Sequence, residues 1–289
     1  MNKYFKINTN LKNKKIAIVA NDAGGAQILS YLSLNLKNKI FYVLSGPAKK
    51  IFFKKNNLKK NYKILNIIKK IDLIITGTSF SSNLETDSIL LAKKHKKKVY
   101  SFIDHWCNYK IRFLRNGKLI LPDVILTGDK DSYFLARKIF KKTKIKFISN
   151  PHFLHIKKIK KAKKKNINNN ILFMSDNMNK VTSTKNTDEL ILKKIINFYR
   201  KKILNNKIQL IVRNHPSELK NKYKNVIKNM KIKIDNNLEL TSSLMNVNTV
   251  VGHQSMAMVI GKLFGIKTVY VKFKKLPNQI PMRYIDKII

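Results

Sequence analysis

Short apolar runs alternate with amphipathic stretches along most of the sequence. The first run, from Ile16 to Ala20, is rich in β-branched residues, which indicates a strand buried on both faces of a parallel sheet. Apolar side chains at helical spacing follow the Gly24-Gly25 pair. The opening stretch therefore predicts a strand, a tight turn and a helix.

The same alternation recurs through both halves of the chain. Further strands are predicted at Ile40–Gly46, Asp72–Ser79, Lys98–Asp104, Asp123–Asp129, Ile145–Pro151, Asn170–Asp176, Ile208–Pro216, Thr249–Ser255 and Lys267–Phe273. Helices are predicted over 83–95, 131–140 and 188–202. A pattern of this kind is typical of α/β proteins with doubly wound parallel sheets.

A lysine- and asparagine-rich stretch interrupts this pattern near the middle of the chain. It predicts an N-terminal α/β domain over 1–154, a linker over 155–169 and a C-terminal α/β domain over 170–289. A length of 289 residues suits two such domains. We therefore expect two Rossmann-like, doubly wound domains that face a cleft.

The chain is strongly basic, with 61 lysine and arginine residues against 15 aspartate and glutamate residues, and a formal net charge of +46. Only six of these cations are arginine, the residue that most nucleic-acid readers use for bidentate contacts. The lysines are scattered, so we attribute much of the charge to a codon bias toward A and T, and nucleic acid is disfavoured as a partner. Attraction to an anionic membrane surface remains the alternative.

Two further features of the sequence concern its compartment. The only cysteine, Cys107, excludes an internal disulfide and an all-cysteine metal site. The N-terminal stretch has no apolar run of signal-peptide length, and no segment has eighteen uninterrupted apolar residues. We expect a cytoplasmic protein, attached peripherally to the inner face of a membrane by charge if at all.

Ligands of open parallel sheets bind beyond the carboxyl ends of the strands, so the polar residues that follow each apolar run are the candidates for a site. In the first half these are Asn21, Asp22, Gly24, Gly25, Asp104, His105, Trp106 and Tyr109. The glycine spacing in "NDAGGAQ" differs from the dinucleotide fingerprint, which disfavours NAD. Structural readings stay open: the glycines could serve a tight turn, Asp22 could bond its own turn, and Trp106 could belong to the core.

The second half has two candidate anion sites. "VRNHPSE" brings Arg213 and His215 to the end of one predicted strand, with Pro216 and Ser217 suited to opening a helix. "VVGHQS" brings Gly252, His253 and Ser255 to the start of another helix. Helix N-termini attract anions, so a phosphate or diphosphate donor is the expected ligand. A helix cap with a structural histidine is the alternative at both places.

These two motifs resemble those of two-domain bacterial glycosyltransferases with the GT-B fold, including polysialyltransferase-like and CDP-glycerol glycerophosphotransferase-like enzymes. Arg213 to Pro216 match the Arg-x-His-Pro segment, and Gly252 to Ser255 match the Gly-x-x-Ser turn, within a resemblance that covers roughly 205 to 272. The resemblance implies that His215 and Ser255 contact the donor phosphates. The sequence departs from the family pattern at Ser255, because the second motif has one hydroxyl residue where the family commonly has two.

The resemblance also implies an acceptor-binding N-terminal domain that offers a carboxylate or an imidazole. Asp22 and His105 are the candidate catalytic groups, and Asp22 would take the proton of the acceptor hydroxyl. We expect a metal-independent enzyme without a cofactor, using a nucleotide sugar as co-substrate and a carbohydrate or glycolipid as acceptor. The Asp-x-Asp sequence at Asp129 is interpreted as a helix cap rather than a metal site.

Two other functions remain open on the sequence alone. A nucleotide-sugar epimerase of the same architecture would need acid and base groups around the donor ring, for which His253 and Asp104 are available. A non-catalytic protein could instead use its lysines to hold a polyanion or a membrane surface. The second function predicts binding that weakens steeply with added salt.

Overall fold

The computed structural model of the chain describes residues 11, 13–58, 60–80, 82–159, 169–176, 186–215, 218–228, 230–237, 239–273 and 278–289. The chain divides into two compact units, Met1–His155 and Ile156–Ile289. Each unit contains a six-stranded sheet whose paired strands all run parallel. The two units are called unit 1 and unit 2 below.

Unit 1 has a sheet of order β2-β1-β3-β4-β7-β8. Its strands are β1 (Ile16–Ala20), β2 (Ile40–Leu44), β3 (Leu73–Thr76), β4 (Lys98–Ile103), β7 (Val124–Thr127) and β8 (Lys144–Phe147), with a small antiparallel pair, β5 (Leu114–Arg115) and β6 (Lys118–Leu119). Its helices are α1 (Ala23–Leu34), α2 (Gly46–Asn56), α3 (Ile64–Ile67), α4 (Leu84–Lys94), α5 (Lys130–Ile139) and α6 (Pro151–Ile159), the last of which runs past the point of division.

Unit 2 has a sheet of order β11-β10-β9-β12-β13-β14. Its strands are β9 (Asn170–Met174), β10 (Gln209–Arg213), β11 (Lys233–Ile234), β12 (Thr249–Gly252), β13 (Lys267–Tyr270) and β14 (Lys287–Ile288). Its helices are α7 (Thr187–Leu204), α8 (Lys224–Ile227), α9 (Leu240–Met245) and α10 (Met256–Leu263).

The first strand shows why these sequences form buried parallel sheets. All five residues of β1 are buried, and alternate residues belong to two different core clusters: Ile16 and Ile18 to one, Ala17 and Val19 to the other. Successive side chains of a strand point to opposite faces, so an uninterrupted apolar run can fill the core on both sides of a sheet. The polar residues that follow such runs are left at the strand ends.

The predicted fold class, α/β with doubly wound parallel sheets, is confirmed. Each predicted strand is present, and the predicted helices correspond to α1, α4, α5, α7 and α10. The pattern did not predict α2, α9 or the two-residue strands β11 and β14, which carry too few apolar residues to stand out. In the predicted linker, 155–159 belong to α6, while 160–168 lie outside the described residues.

Candidate functional site

The carboxyl ends of three neighbouring strands bring the sequence motifs of unit 2 together. In the register of the sheet, Met174 at the end of β9 pairs with Arg213 of β10 on one side and with Gly252 of β12 on the other. Parallel strands end at the same edge of a sheet, so the residues that follow these three positions share that edge. Unit 2 therefore has one polar cluster where the sequence predicted two anion sites.

Arg213 is bound to groups of the protein itself. Its guanidinium forms an ion pair with Asp235, donates to Ser243 Oγ at 2.9 Å and donates to the carbonyl of Asn237 at 3.0 Å. Burial alone would raise the pKa of Asp235, but hydrogen bonds from Ser243 and Arg213 lower it, which keeps the carboxylate ionised. This pairing gives Arg213 a role in fixing the loop after β11, and it does not support the predicted phosphate contact.

His215 begins a loop that is tied to a buried acid, Glu218. The backbone N–H of His215 donates to Glu218 Oε2 at 2.9 Å, and the backbone N–H of Glu218 donates back to the carbonyl of His215 at 2.9 Å. Ser175 Oγ donates to Glu218 Oε1 at 2.8 Å, which ties this loop to the residue after β9. The loop thus has a fixed start, while the predicted helix opening at 216–217 lies outside the described residues.

Lys222 supplies a partly buried positive charge beneath this loop. Its ammonium contacts Asp188 Oδ2 at 2.8 Å and Glu218 Oε1 at 2.5 Å, and both carboxylate side chains are buried. Two carboxylates thus share one ammonium group. The sequence analysis did not single out Asp188, Glu218 or Lys222, because their pairing depends on contacts that the pattern of apolar runs does not specify.

Close approach of two backbones explains the glycine at the end of β12. A Cβ atom at Gly252 would lie 2.8 Å from the carbonyl oxygen of Met174 and 3.0 Å from Met258 Sδ. The Met258 side chain could move aside, but the Met174 oxygen belongs to the backbone, so a larger residue would push β9 and the turn apart. Gly252 therefore lets the turn before α10 pack directly on the end of β9.

His253 is a neutral histidine whose tautomer follows from its surroundings. Its Nδ1 lies 2.8 Å from the carbonyl oxygen of Val271, which accepts a hydrogen bond, so the proton is on Nδ1. Burial lowers the pKa of His253, and its ring stacks on Tyr270 at 5.1 Å. The remaining nitrogen, Nε2, has no hydrogen-bond partner among the described residues and presents a lone pair. A lone pair repels phosphate oxygens, so this geometry does not support the predicted phosphate contact of His253.

Ser255 is the N-cap of α10, as the structural alternative expected. Its Oγ accepts a hydrogen bond from the backbone N–H of Ala257 at 3.3 Å. The carboxylate of Asp176 accepts hydrogen bonds from the backbone N–H of Gln254 and from the hydroxyl of Ser255. Burial raises the pKa of Asp176 to about 7, and the charges of Asp188 and Glu218 add to the effect. Asp176 stands at the end of β9 but was not among the predicted site residues.

In unit 1, Asn21 and Asp22 form a hydrogen-bonded turn that links the ends of three strands. Asp22 Oδ1 accepts from Asn21 Nδ2 at 2.6 Å, and Asp22 Oδ2 accepts from the backbone N–H of Phe80 at 2.9 Å. Asn21 Oδ1 accepts from Ser45 Oγ at 2.6 Å. Asp22 precedes α1, yet its side chain makes no capping bond to that helix. The carboxylate of Asp22 is thus held by groups that follow β1 and β3.

Glu85 is a buried acid of unit 1 that the sequence did not single out. Its Oε1 accepts from the backbone N–H of Asn21 at 2.8 Å and from Ser79 Oγ at 2.6 Å, and Oε2 has no hydrogen-bond partner among the described residues. Burial raises its pKa to about 7, against the opposing effect of these two hydrogen bonds. An acid within the first turn of α4 is an ordinary helix feature, so the sequence carried no signal that this one is buried.

Two close contacts explain the glycine pair of the first turn. A Cβ atom at Gly24 would lie 1.9 Å from Asp104 Oδ2, and one at Gly25 would lie 3.2 Å from the Cα atom of Gly77. Asp104 is itself held by a largely buried ion pair with Arg112 at 2.8 Å. The glycines therefore bring the start of α1 against the ends of β3 and β4.

The aromatic cluster after β4 is mostly structural. Trp106 is buried and donates its indole N–H to both carboxylate oxygens of Asp129 at 3.1 Å, and Tyr109 is 2% exposed and packs in the core beside Phe140. His105 Nδ1 lies 3.2 Å from Cys107 Sγ, whose pKa is raised by burial. Their burial does not support contacts of Trp106 and Tyr109 with a sugar.

Asp129 is the N-cap of α5 and forms a reciprocal capping box with Ser132, which agrees with its interpretation as a cap. Within the part of the chain that the structure describes, no group of three or more histidine, cysteine, aspartate or glutamate residues is arranged to hold a metal ion. Nor does this part contain a helix long and apolar enough to span a bilayer.

No protein-family model matches the sequence, and no curated protein does. Among solved structures, the chain is similar to the UDP-GlcNAc 2-epimerase of Methanocaldococcus jannaschii in complex with UDP-GlcNAc and UDP, with 15% identity, a TM-score of 0.63, and coverage of 95% of this chain and 88% of that chain. The UDP-GlcNAc 2-epimerase of Neisseria meningitidis bound to UDP-GlcNAc has 10% identity and a TM-score of 0.55, with 90% and 84% covered.

The glycotransferase of kitacinnamycin is also similar, at 11% identity and a TM-score of 0.54, with 92% of this chain and 82% of that chain covered. At these identities the likeness establishes the fold, which is of the GT-B type predicted from the sequence. The narrower resemblance to polysialyltransferase-like and CDP-glycerol glycerophosphotransferase-like families stays a prediction.

Proposed function

We propose that the chain is an enzyme that acts on a nucleotide-linked sugar and binds the diphosphate of that sugar in unit 2. The observation that carries the proposal is the shared edge where β9, β10 and β12 end and α10 begins. Backbone N–H groups at a helix N-terminus favour an anion at such an edge. The fold also occurs in an epimerase whose structure holds UDP-GlcNAc and UDP, which supports this class of ligand.

In this proposal the diphosphate contacts His215, the hydroxyl of Ser255 and the backbone N–H groups of the turn before α10. Gly252 keeps that turn close to the sheet, since a side chain there would collide with the Met174 carbonyl. Arg213 acts indirectly, because its ion pair with Asp235 fixes the strand end from which His215 follows. These groups would stabilise the leaving diphosphate without a metal ion.

We propose transfer of the sugar to a carbohydrate or glycolipid acceptor as the reaction, with Asp22 as the base. A base must be ionised and must be held in a fixed direction to take the proton of an acceptor hydroxyl. The carboxylate of Asp22 is only half-buried, and two N–H groups orient it at the end of β1. Work at the cytoplasmic face of a membrane belongs to the same proposal, since a net charge of +46 favours an anionic surface.

Epimerisation of the nucleotide sugar is the second candidate, favoured by the likeness to UDP-GlcNAc 2-epimerases. The two groups that the sequence offered for this chemistry are not presented to a ligand. His253 is only 1% exposed, and Asp104 is ion-paired with Arg112. We therefore put transfer first.

The test is the thermal stability of the full chain with CMP-, CDP-, UDP-, GDP- and ADP-linked ligands at moderate salt. We expect one nucleotide to raise the melting temperature of the wild type, because a ligand that binds only the folded state stabilises it. His215→Ala should remove this shift. His95→Ala, at the C-terminal end of α4 in unit 1, is the matched control and should keep it.

A folded protein that no nucleotide stabilises would contradict the proposal. If that protein instead bound polyanions or anionic vesicles with a steep salt dependence, the non-catalytic function would replace it. If a nucleotide sugar does bind, incubation in D2O without acceptor separates the two reactions. Inversion at a carbon that carries hydrogen should introduce deuterium there, whereas a transferase should leave the carbon-bound hydrogens of the sugar unlabelled with or without an acceptor.

A further inference from the structure

We propose that, in the protein without ligand, the carboxyl group of Asp176 occupies the anion position at the start of α10, so that a diphosphate binds there together with one proton. This inference rests on the proposed function, because it concerns the same edge of unit 2. It adds a residue that the motifs did not contain and a property, proton uptake, that the fold alone does not imply.

The hydrogen bonds of Asp176 define this position. Its Oδ2 accepts from the backbone N–H of Gln254, and its side chain is also hydrogen-bonded to Ser255. Ser255 Oγ in turn accepts from the backbone N–H of Ala257, in the first turn of α10. A carboxylate on a backbone N–H and a hydroxyl next to a helix N-terminus makes the contacts that a phosphate oxygen would make. The protein thus fills its own anion site with an internal carboxylate.

The surroundings of Asp176 make a second negative charge costly. Asp188 of α7 and Glu218 of the loop after β10 both raise its pKa, although the ammonium of Lys222 offsets part of their charge. The groups on the other strands offer no cation: His253 after β12 is neutral, and Tyr270 of β13 stays protonated because burial and Asp176 raise its pKa to about 12.

Burial, the largest of these effects, brings the pKa of Asp176 to about 7 in the unliganded chain. The acid can therefore take up a proton near neutral pH and give up its place as a neutral group. A diphosphate that arrives beside it favours the protonated form, since two anions in a poorly solvated site repel one another. Binding should weaken as the pH rises through 7, because the bound state holds a proton that the free state has lost.

The probe for this inference is UDP-GlcNAc, whose diphosphate is a diester. It has no terminal phosphate with a second pKa near 6, so the ligand itself does not titrate in the range studied. Isothermal titration calorimetry at pH 6 and pH 8 gives the dissociation constant, and repetition in buffers of different ionisation enthalpy gives the number of protons taken up.

For the wild type we expect a dissociation constant about tenfold larger at pH 8 than at pH 6, since one proton changes affinity about tenfold per pH unit above the pKa. We also expect uptake of close to one proton per ligand at pH 8. Asp176→Asn has the same shape without the charge, so its affinity should vary little with pH and exceed that of the wild type at pH 8.

Asp286→Asn is the matched control. Asp286 also accepts a backbone N–H, that of Thr268, and pairs with Lys262 at the other end of α10. This variant should keep the pH dependence of the wild type.

Three results would overturn the inference. The first is an equal affinity of the wild type at both pH values without proton uptake, which would leave the proposed function intact. The second is an unchanged pH dependence in Asp176→Asn. The third is an absence of binding in all three proteins at both pH values, combined with no stabilisation by any nucleotide, which would remove the proposed function as well.

Discussion

Glu85 in unit 1 and Asp176 in unit 2 each accept a backbone N–H and a serine hydroxyl near the carboxyl ends of the strands, but the groups that they hold lie at different places in the fold. Glu85 in unit 1 holds the backbone N–H of Asn21 and the hydroxyl of Ser79, so it joins the ends of β1 and β3. Asp176 in unit 2 holds the turn that begins α10. Burial raises the pKa of both to about 7. The comparison separates an acid that joins strand ends from one that stands where a ligand anion could replace it.

The units also differ in how an arginine is used at the same edge of the sheet. Asp104 in unit 1 receives hydrogen bonds from Arg112 and, at 3.4 Å, from Thr78. Asp235 in unit 2 receives them from Arg213, from Ser243 and from both nitrogens of Asn237. Loss of the arginine should therefore lower the free energy of unfolding more at Asp104 than at Asp235.

The largest effect is expected for Arg112→Met. It leaves the carboxylate of Asp104 buried with one long hydrogen bond, which should lower the free energy of unfolding of unit 1 by about 3 to 5 kcal/mol. Urea denaturation followed by the fluorescence of Trp106, the only tryptophan, reports on this unit. Arg115→Met, which breaks the exposed pair with Asp87, should cost less than about 1 kcal/mol. Equal costs for the two variants would contradict the account of unit 1.

The second effect is a pH dependence carried by Glu85. Its pKa is about 7 in the folded chain against an ordinary value of 4.5, so the folded state keeps a proton that the unfolded state loses. The stabilisation is complete below about pH 4.5 and disappears as the pH rises through 7.

Glu85→Gln cannot ionise and should match the wild type near pH 4 but exceed its stability at pH 8 by on the order of 3 kcal/mol. Urea denaturation across this pH range measures the difference. Asp87→Asn, an exposed acid on the same helix, should show no such gain. A constant difference between Glu85→Gln and the wild type at all pH values would show that Glu85 is ionised throughout.

The third effect sharpens the comparison of the arginines. Arg213→Met removes one hydrogen bond to a carboxylate that keeps three other donors, so we expect a loss of about 1 to 3 kcal/mol, less than for Arg112→Met. Amide hydrogen exchange of β10 and β11 measures the stability of unit 2 separately. A larger loss for Arg213→Met than for Arg112→Met would reverse the comparison.

The smallest effect concerns the start of α10. Ser255→Ala removes the N-cap and should cost about 1 kcal/mol, whereas Ser255→Thr should keep most of the stability. Asp22→Asn at the start of α1 should leave that helix unchanged, because Asp22 makes no capping bond to it. Hydrogen exchange of the first-turn amides of α1 and α10 measures the effect of each variant on its helix. Fraying of α1 in Asp22→Asn would show that its carboxylate acts as a cap.

The apolar runs were enough to predict the sheets, since buried parallel strands need uninterrupted apolar residues and few other structures do. They also located the strand ends where polar residues gather, including Asp22, His215 and Ser255. What they could not supply is the partner of each charge. Arg213 meets Asp235, 22 residues further along, only because β11 pairs with β10. The motif alone assigned the same arginine to a phosphate.

The buried acids are a second feature that the sequence could not predict. Nothing in the sequence separates Glu85 from Asp87, two acids at the start of one helix, yet one is buried and the other is half exposed. Helical spacing decides which of them faces the ends of β1 and β3, and that face is known only once the strands are paired. The raised pKa values that predict pH-dependent effects at Glu85 and Asp176 arise from this packing.

Hydrogen exchange with mass spectrometry, with and without UDP-GlcNAc at pH 6, tests the central claim most directly. The account predicts protection of the backbone amides at 213–215 and 252–257 in the wild type, and a loss of that protection in His215→Ala. Protection that is absent from these segments, or that spreads over lysine-rich surfaces and vanishes with added salt, would contradict a nucleotide-sugar site in unit 2.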